Sequence, residues 1–110
     1  MQIENHIVGI GGVFFKSKAP EKLTEWYKKI LGFSTQIPFD NEDTAINFKW
    51  KTFSGEHHNT VWAPFSKKTT YFDPSPKEWM INYIVKDLEG LIRKLEMENI
   101  EIVEKIRKYP

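Results

Sequence analysis

The sequence predicts a single α+β domain, and three observations carry that reading. Apolar residues recur with helical spacing in two stretches, they alternate with period two in others, and each helical stretch follows a strand-like run at the same distance. At 110 residues and 13.0 kDa the chain has the size of one compact unit, and its 40% hydrophobic and 15% aromatic content is enough to build a core.

Residues 7–15 are β-branched and aromatic and are punctuated by Gly9, Gly11 and Gly12, which reads as a buried first strand closely approached by other backbone. From Pro20 the pattern changes. Leu23, Trp26, Tyr27, Ile30 and Leu31 fall on one helical stripe with Glu and Lys between them, Pro20 suits the first turn, and Gly32 suits a left-handed C-terminal stop. A strand over 33–39, a polar turn over 40–43, and a strand over 45–53 with Ile46, Phe48 and Trp50 alternating against Asn47, Lys49 and Lys51 come next. Ser54, Gly55 and Glu56 make a turn. A fourth strand over 59–65 follows, which Pro64 is expected to terminate or to place on an edge. Residues 66–78, with two prolines, read as a connecting segment outside the core. A strand over 79–85 leads through Asp87, an N-cap, into a second helix with Leu88, Leu91, Ile92 and Leu95 on its stripe; Asn99 closes it, and a sixth strand starts over 100–106.

The strand-to-helix unit repeats with a shift of 68 residues, Gly12 falling on Met80, Ala19 on Asp87 and Leu23 on Leu91, as a duplicated module would. Composition excludes several functions. Sixteen basic against fifteen acidic residues, without a block of one sign, offers nothing to phosphate backbones or anionic lipid, so neither nucleic acid nor membrane is an expected partner. The absence of cysteine removes disulfides, thiolate nucleophiles and Cys-based metal sites. With no secretory pattern at the N-terminus and no span of about 18 apolar residues, a cytoplasmic location is expected.

The run Gly11-Gly12-Val13-Phe14-Phe15 through Trp26-Tyr27-Lys28-Lys29-Ile30-Leu31-Gly32-Phe33 resembles the first half of vicinal-oxygen-chelate proteins, the glyoxalase and bleomycin-resistance superfamily. Thr60-Val61-Trp62-Ala63-Pro64-Phe65 and Met80-Ile81-Asn82-Tyr83-Ile84-Val85-Lys86-Asp87-Leu88 look like that family's fourth strand and second-module opening. The resemblance implies βαβββ modules whose curved mixed sheet forms a partly open barrel with helices outside. It divides this one domain into a first module over about 5–65, a linker over 66–78 and an incomplete second module over 79–110. Either the polypeptide is truncated or another chain completes the barrel, and a homodimer is the expected state; an unpaired edge at 100–106 would invite association.

Family enzymes hold a divalent metal, and the resemblance places Gly12 and Met80 at the first ligand position of each module. Glycine has no ligating side chain and a thioether favours soft metals, so no metal or other cofactor is expected. His57 and His58 are the alternative ligands or acid-base groups, with Glu56 as an orienting carboxylate, but adjacent strand residues point to opposite faces. They read as solvated histidines beside the Gly55 turn. Alternation sets Gly12, Phe14, Met80 and Asn82 on the side where the family keeps its cavity and Val13, Phe15, Ile81 and Tyr83 toward the helices; Phe48, Trp50 and Trp62 add to the expected lining. Aromatic walls with a few polar groups suit a flat or apolar ligand. The expected function is thus metal-free binding of a small aromatic or amphipathic molecule. The alternatives are a metal-dependent lyase, isomerase or dioxygenase of the same superfamily, and a vestigial fold acting through protein contacts.

Overall fold

The computed structural model describes residues 7–33 and 44–103. In chain order these form β1 (Ile7–Ser17), α1 (Pro20–Leu31), β2 (Ile46–Lys51), β3 (His57–Ser66), β4 (Trp79–Val85) and α2 (Leu88–Met97). The class is α+β. The strands make one mixed sheet in the order β2-β3-β1-β4, which among the described residues is open rather than closed into a barrel. The described residues divide into two units, one within 10–83 and one of residues 7–9 together with 84–103.

In the larger unit, β1 and β3 run parallel, with Val13 opposite Trp62, Phe14 opposite Ala63 and Phe15 opposite Pro64. β2 returns antiparallel to β3, with Ile46 opposite Trp62, Phe48 opposite Thr60 and Trp50 opposite His58. The tight connection between them works as expected: Gly55 takes φ 94° and donates its N–H to the Thr52 carbonyl, while Thr52 donates to the Glu56 carbonyl. α1 starts at Pro20 and ends where Gly32, at φ 75°, returns its N–H to the Tyr27 carbonyl, so both sequence signals mark its ends.

Helix α1 departs from its predicted stripe. Thr24 is its one fully buried residue and donates Oγ1 to the Thr44 carbonyl at 2.9 Å, whereas Trp26, Ile30 and Leu31 are exposed. A polar side chain can sit inside here because this hydrogen bond satisfies its hydroxyl. Pro64 is also misjudged by the sequence: it lies inside β3, an interior strand. The pairing with β2 reaches only to Trp62, so the proline stands beyond the last β2 partner and removes no ladder bond on that side.

Beyond Ser66, the last residue of β3, the segment 66–78 contains no helix or strand, but it is not outside the core. Phe72 is 1% exposed and packs its ring 5.4 Å from that of Phe65, with Lys16 Nζ 5.8 Å from its centroid on another approach. Burying such a side chain contributes about 2–3 kcal/mol. Polar side chains shape the turns around it: Ser66 Oγ accepts from the Lys68 N–H, Thr69 Oγ1 from the Tyr71 N–H, and Ser75 Oγ from the Lys77 N–H. The Lys67 ammonium meets both carboxylate oxygens of Glu78 at 3.0 and 3.1 Å, closing the loop.

In the smaller unit, Asp87 caps α2 by accepting the Gly90 N–H at 3.1 Å. A Cβ at position 90 would collide with that carboxylate, so glycine is what leaves room for the cap. Asn99 ends the helix at φ 61° with its N–H on the Glu96 carbonyl. Residues 100–103 are not a strand, in contrast to the sequence expectation, because their first N–H closes back on Leu95 rather than joining a sheet. The expected strand over 33–39 and its turn over 40–43 lie, apart from Phe33, outside the described residues, as does the remainder of the expected final strand.

Candidate functional site

The sheet register separates the aromatic residues onto two faces. Because paired residues share a face, Val13, Phe15, Ile46, Phe48, Trp50, Thr60 and Trp62 lie on one side and Gly12, Phe14, Val61, Ala63 and Phe65 on the other. α1 packs Tyr27 onto the first set. Trp62 sits at its centre, with ring centroids 4.8 Å from Tyr27, 5.3 Å from Phe15 and 5.3 Å from Phe33, and Phe33 reaches Phe48 at 5.3 Å. These tilted and edge contacts are the geometry aromatic quadrupoles favour, and the cluster is half-buried, with Phe48 at its exposed margin.

The second set opens a cleft of about 750 Å³. Phe14, Val61, Ala63 and Phe65 form its floor, and Tyr71 forms a wall; Pro20 and Glu21 at the start of α1, with Thr44 and Ala45 before β2, bound it elsewhere. The Phe65 and Tyr71 rings stack at 5.2 Å and 20°, and Phe14 tilts against both at 5.3 and 6.1 Å. Ser66, Lys68 and Thr69 bring polar groups to the lining. Such a cleft, apolar below with hydroxyl-bearing residues, Lys68 and the acidic Glu21 among its lining, can take a flat apolar body that carries a polar end.

Gly12 determines where Phe14 stands. It is buried, and a Cβ there would lie 2.7 Å from Phe14 Cζ, so the ring folds back over the glycine within the same strand face. Any larger residue would force that ring, which lines the cleft, to shift.

Of the six expected lining residues, only Phe14 lines this cleft. Phe48, Trp50 and Trp62 lie on the α1 face, since the parallel register sets Trp62 beside Val13 rather than Phe14. Met80 and Asn82 lie on β4 and do not reach it; Asn82 is exposed. Ile81 and Tyr83, expected to turn toward a helix, are also exposed. The sequence missed Tyr71 because a proline-bearing connecting segment gives no periodic signal, although Tyr71-Phe72 in a polar loop is the one local hint that the loop packs on something.

His57 and His58 open β3 beside Lys51 and Trp50 respectively. His57 is exposed, but His58 is not a solvated residue: its ring lies 5.1 Å from the Trp50 ring at 33°, and its buried Nε2 has no hydrogen-bond partner. Glu56 Oε2 stands 3.6 Å from that nitrogen, beyond hydrogen-bond reach. Trp50 in turn donates Nε1–H to Thr60 Oγ1, and Thr60 donates to the Ile10 carbonyl, which ties the edge of the α1 face to β1. Among the described residues no group of three His, Asp or Glu side chains is placed to hold a metal ion, and no helix is long and apolar enough to cross a membrane. Comparison with family models, with curated proteins and with solved structures gives no match.

Proposed function

We propose that this chain is a vicinal-oxygen-chelate-like module that binds a small aromatic or amphipathic molecule in the Phe14, Phe65, Tyr71 cleft, without a metal. The observation that carries the reading is the cleft itself: three aromatic residues lining a space of about 750 Å³ that only the first residues of α1 reach. A drug-sized ligand needs a space of about this size, at the order of 300–1,000 Å³. The pattern of a parallel β1 and β3 with an antiparallel β2 and an intervening helix supports the βαβββ module, and Gly12 beneath the Phe14 ring supports a site whose first-strand position packs an aromatic side chain instead of ligating an ion. A homodimer is part of the proposal.

A thermal-shift screen of phenols, indoles and aromatic acids tests it. Compounds that raise the melting temperature should lose their effect on Tyr71→Ala and on Gly12→Val, which displaces the Phe14 ring that lines the cleft, while Trp26→Ala on the exposed side of α1 leaves them unchanged. Hits insensitive to both cleft variants, or stabilisation only by divalent ions, would sink the reading in favour of other surfaces or of metal chemistry.

A further inference from the structure

Strand β4 is the outer strand of the sheet order among the described residues, and its sequence, Trp-Met-Ile-Asn-Tyr-Ile-Val, contains neither a charge nor a proline. Edge strands that stay solitary are ordinarily blunted by lysine, proline or a bulge. Here Trp79 and Tyr83 are each 56% exposed and Ile81 37% exposed. The Lys16 N–H donates to the Glu78 carbonyl at 2.8 Å, so that carbonyl turns toward β1. Alternation along the strand then turns the peptide groups of Met80, Asn82 and Ile84 the same way and those of Trp79, Ile81, Tyr83 and Val85 outward.

We infer that β4 pairs antiparallel with β4 of a second copy of this chain, about a twofold axis at Asn82. A twofold interface must be self-complementary, and this strand is. Centring on Asn82 matches all seven residues of the strand, whereas any neighbouring centre leaves one end unpaired. It sets Trp79 against Val85 of the second copy and Ile81 against its Tyr83, two pairings of an aromatic with a β-branched residue, which are favourable across strands. These are also the residues whose peptide groups face outward, so they form the hydrogen-bonded pairs. Asn82 meets its own copy at a non-hydrogen-bonded position. The inference rests on the dimeric part of the proposed function and adds the surface that makes the dimer; it is independent of the cleft.

The chain has no cysteine, so Asn82→Cys introduces a single thiol. Opposed residues at a non-hydrogen-bonded position have Cα atoms about 4.5 Å apart, within the roughly 4.4–6.8 Å a disulfide spans. Under mild oxidation Asn82→Cys should become a covalent dimer in high yield, and Ile81→Cys, facing Tyr83 of the second copy, should not. Light scattering of the unmodified chain should give twice its 13.0 kDa mass, and Ile81→Lys should halve that value with an unchanged circular dichroism spectrum. If Ile81→Lys does not fold, the Asn82→Cys crosslink decides alone. A monomeric unmodified chain overturns both the dimer and the surface. A dimer that survives Ile81→Lys and does not crosslink at position 82 overturns the surface and leaves the dimer standing.

Discussion

The two faces of the same sheet use aromatic residues for opposite ends. On the α1 face, Trp62 is surrounded by Phe15, Tyr27 and Phe33, and each ring's edge finds a neighbour's face. On the other face, Phe14, Phe65 and Tyr71 touch one another and line a cleft. Aromatic content alone therefore does not mark a binding site. What distinguishes the two is the covering element: a helix packs Tyr27 against Trp62 on one face, while a loop anchored by the buried Phe72 borders a cleft on the other.

The contrast can be broken by substitution, and the largest effect belongs to the α1 face. Trp62→Ala removes the ring shared by three aromatic neighbours and should cost about 3 kcal/mol in urea unfolding. A cost below about 1 kcal/mol would mean that the α1 face is no more tightly built than the cleft. Thr24→Val keeps the volume and deletes the hydroxyl donor to the Thr44 carbonyl; about 1.5 kcal/mol should be lost, read by the same unfolding curve. On the open face, Tyr71→Ala should lower stability by only about 1 kcal/mol, because its partners keep their own packing, yet weaken an aromatic ligand at least tenfold by calorimetric titration. Gly12→Ala sharpens the comparison further. Its Cβ meets only the far end of a side chain that can swing, so the stability loss should stay near about 0.5 kcal/mol, while ligand affinity falls as the Phe14 ring, which lines the cleft, shifts.

Much of the local structure was legible in the sequence. Pro20 and Gly32 bracket α1, Asp87 and Asn99 bracket α2, and Gly55 turns β2 into β3, because each of these acts through backbone chemistry confined to a few residues. Of the cleft's lining, the sequence indicated only Phe14. Assigning Trp62, Trp50 and Phe48 to a face requires the register between β1 and β3, and a shift of one residue would move every side chain to the other side. Nothing local in the sequence fixes that pairing, since the two strands are separated by a helix and a further strand. Tyr71 and Phe72 were missed for a related reason: Pro74 and Pro76 correctly announce a loop, but whether a loop residue is buried is decided by the surface beneath it. Thr24 reverses the same lesson, a polar residue buried where a carbonyl 20 positions away satisfies its hydroxyl.

The most direct test of the difference between the two faces is an amide chemical-shift map of the chain titrated with indole. The largest perturbations should fall on Gly12, Phe14, Ala63, Phe65 and Tyr71, with Phe15, Tyr27 and Trp62 moving little. Perturbations centred on Tyr27 and Trp62, or none on the Phe14 face at saturating indole, would contradict the assignment of the open face as the binding site.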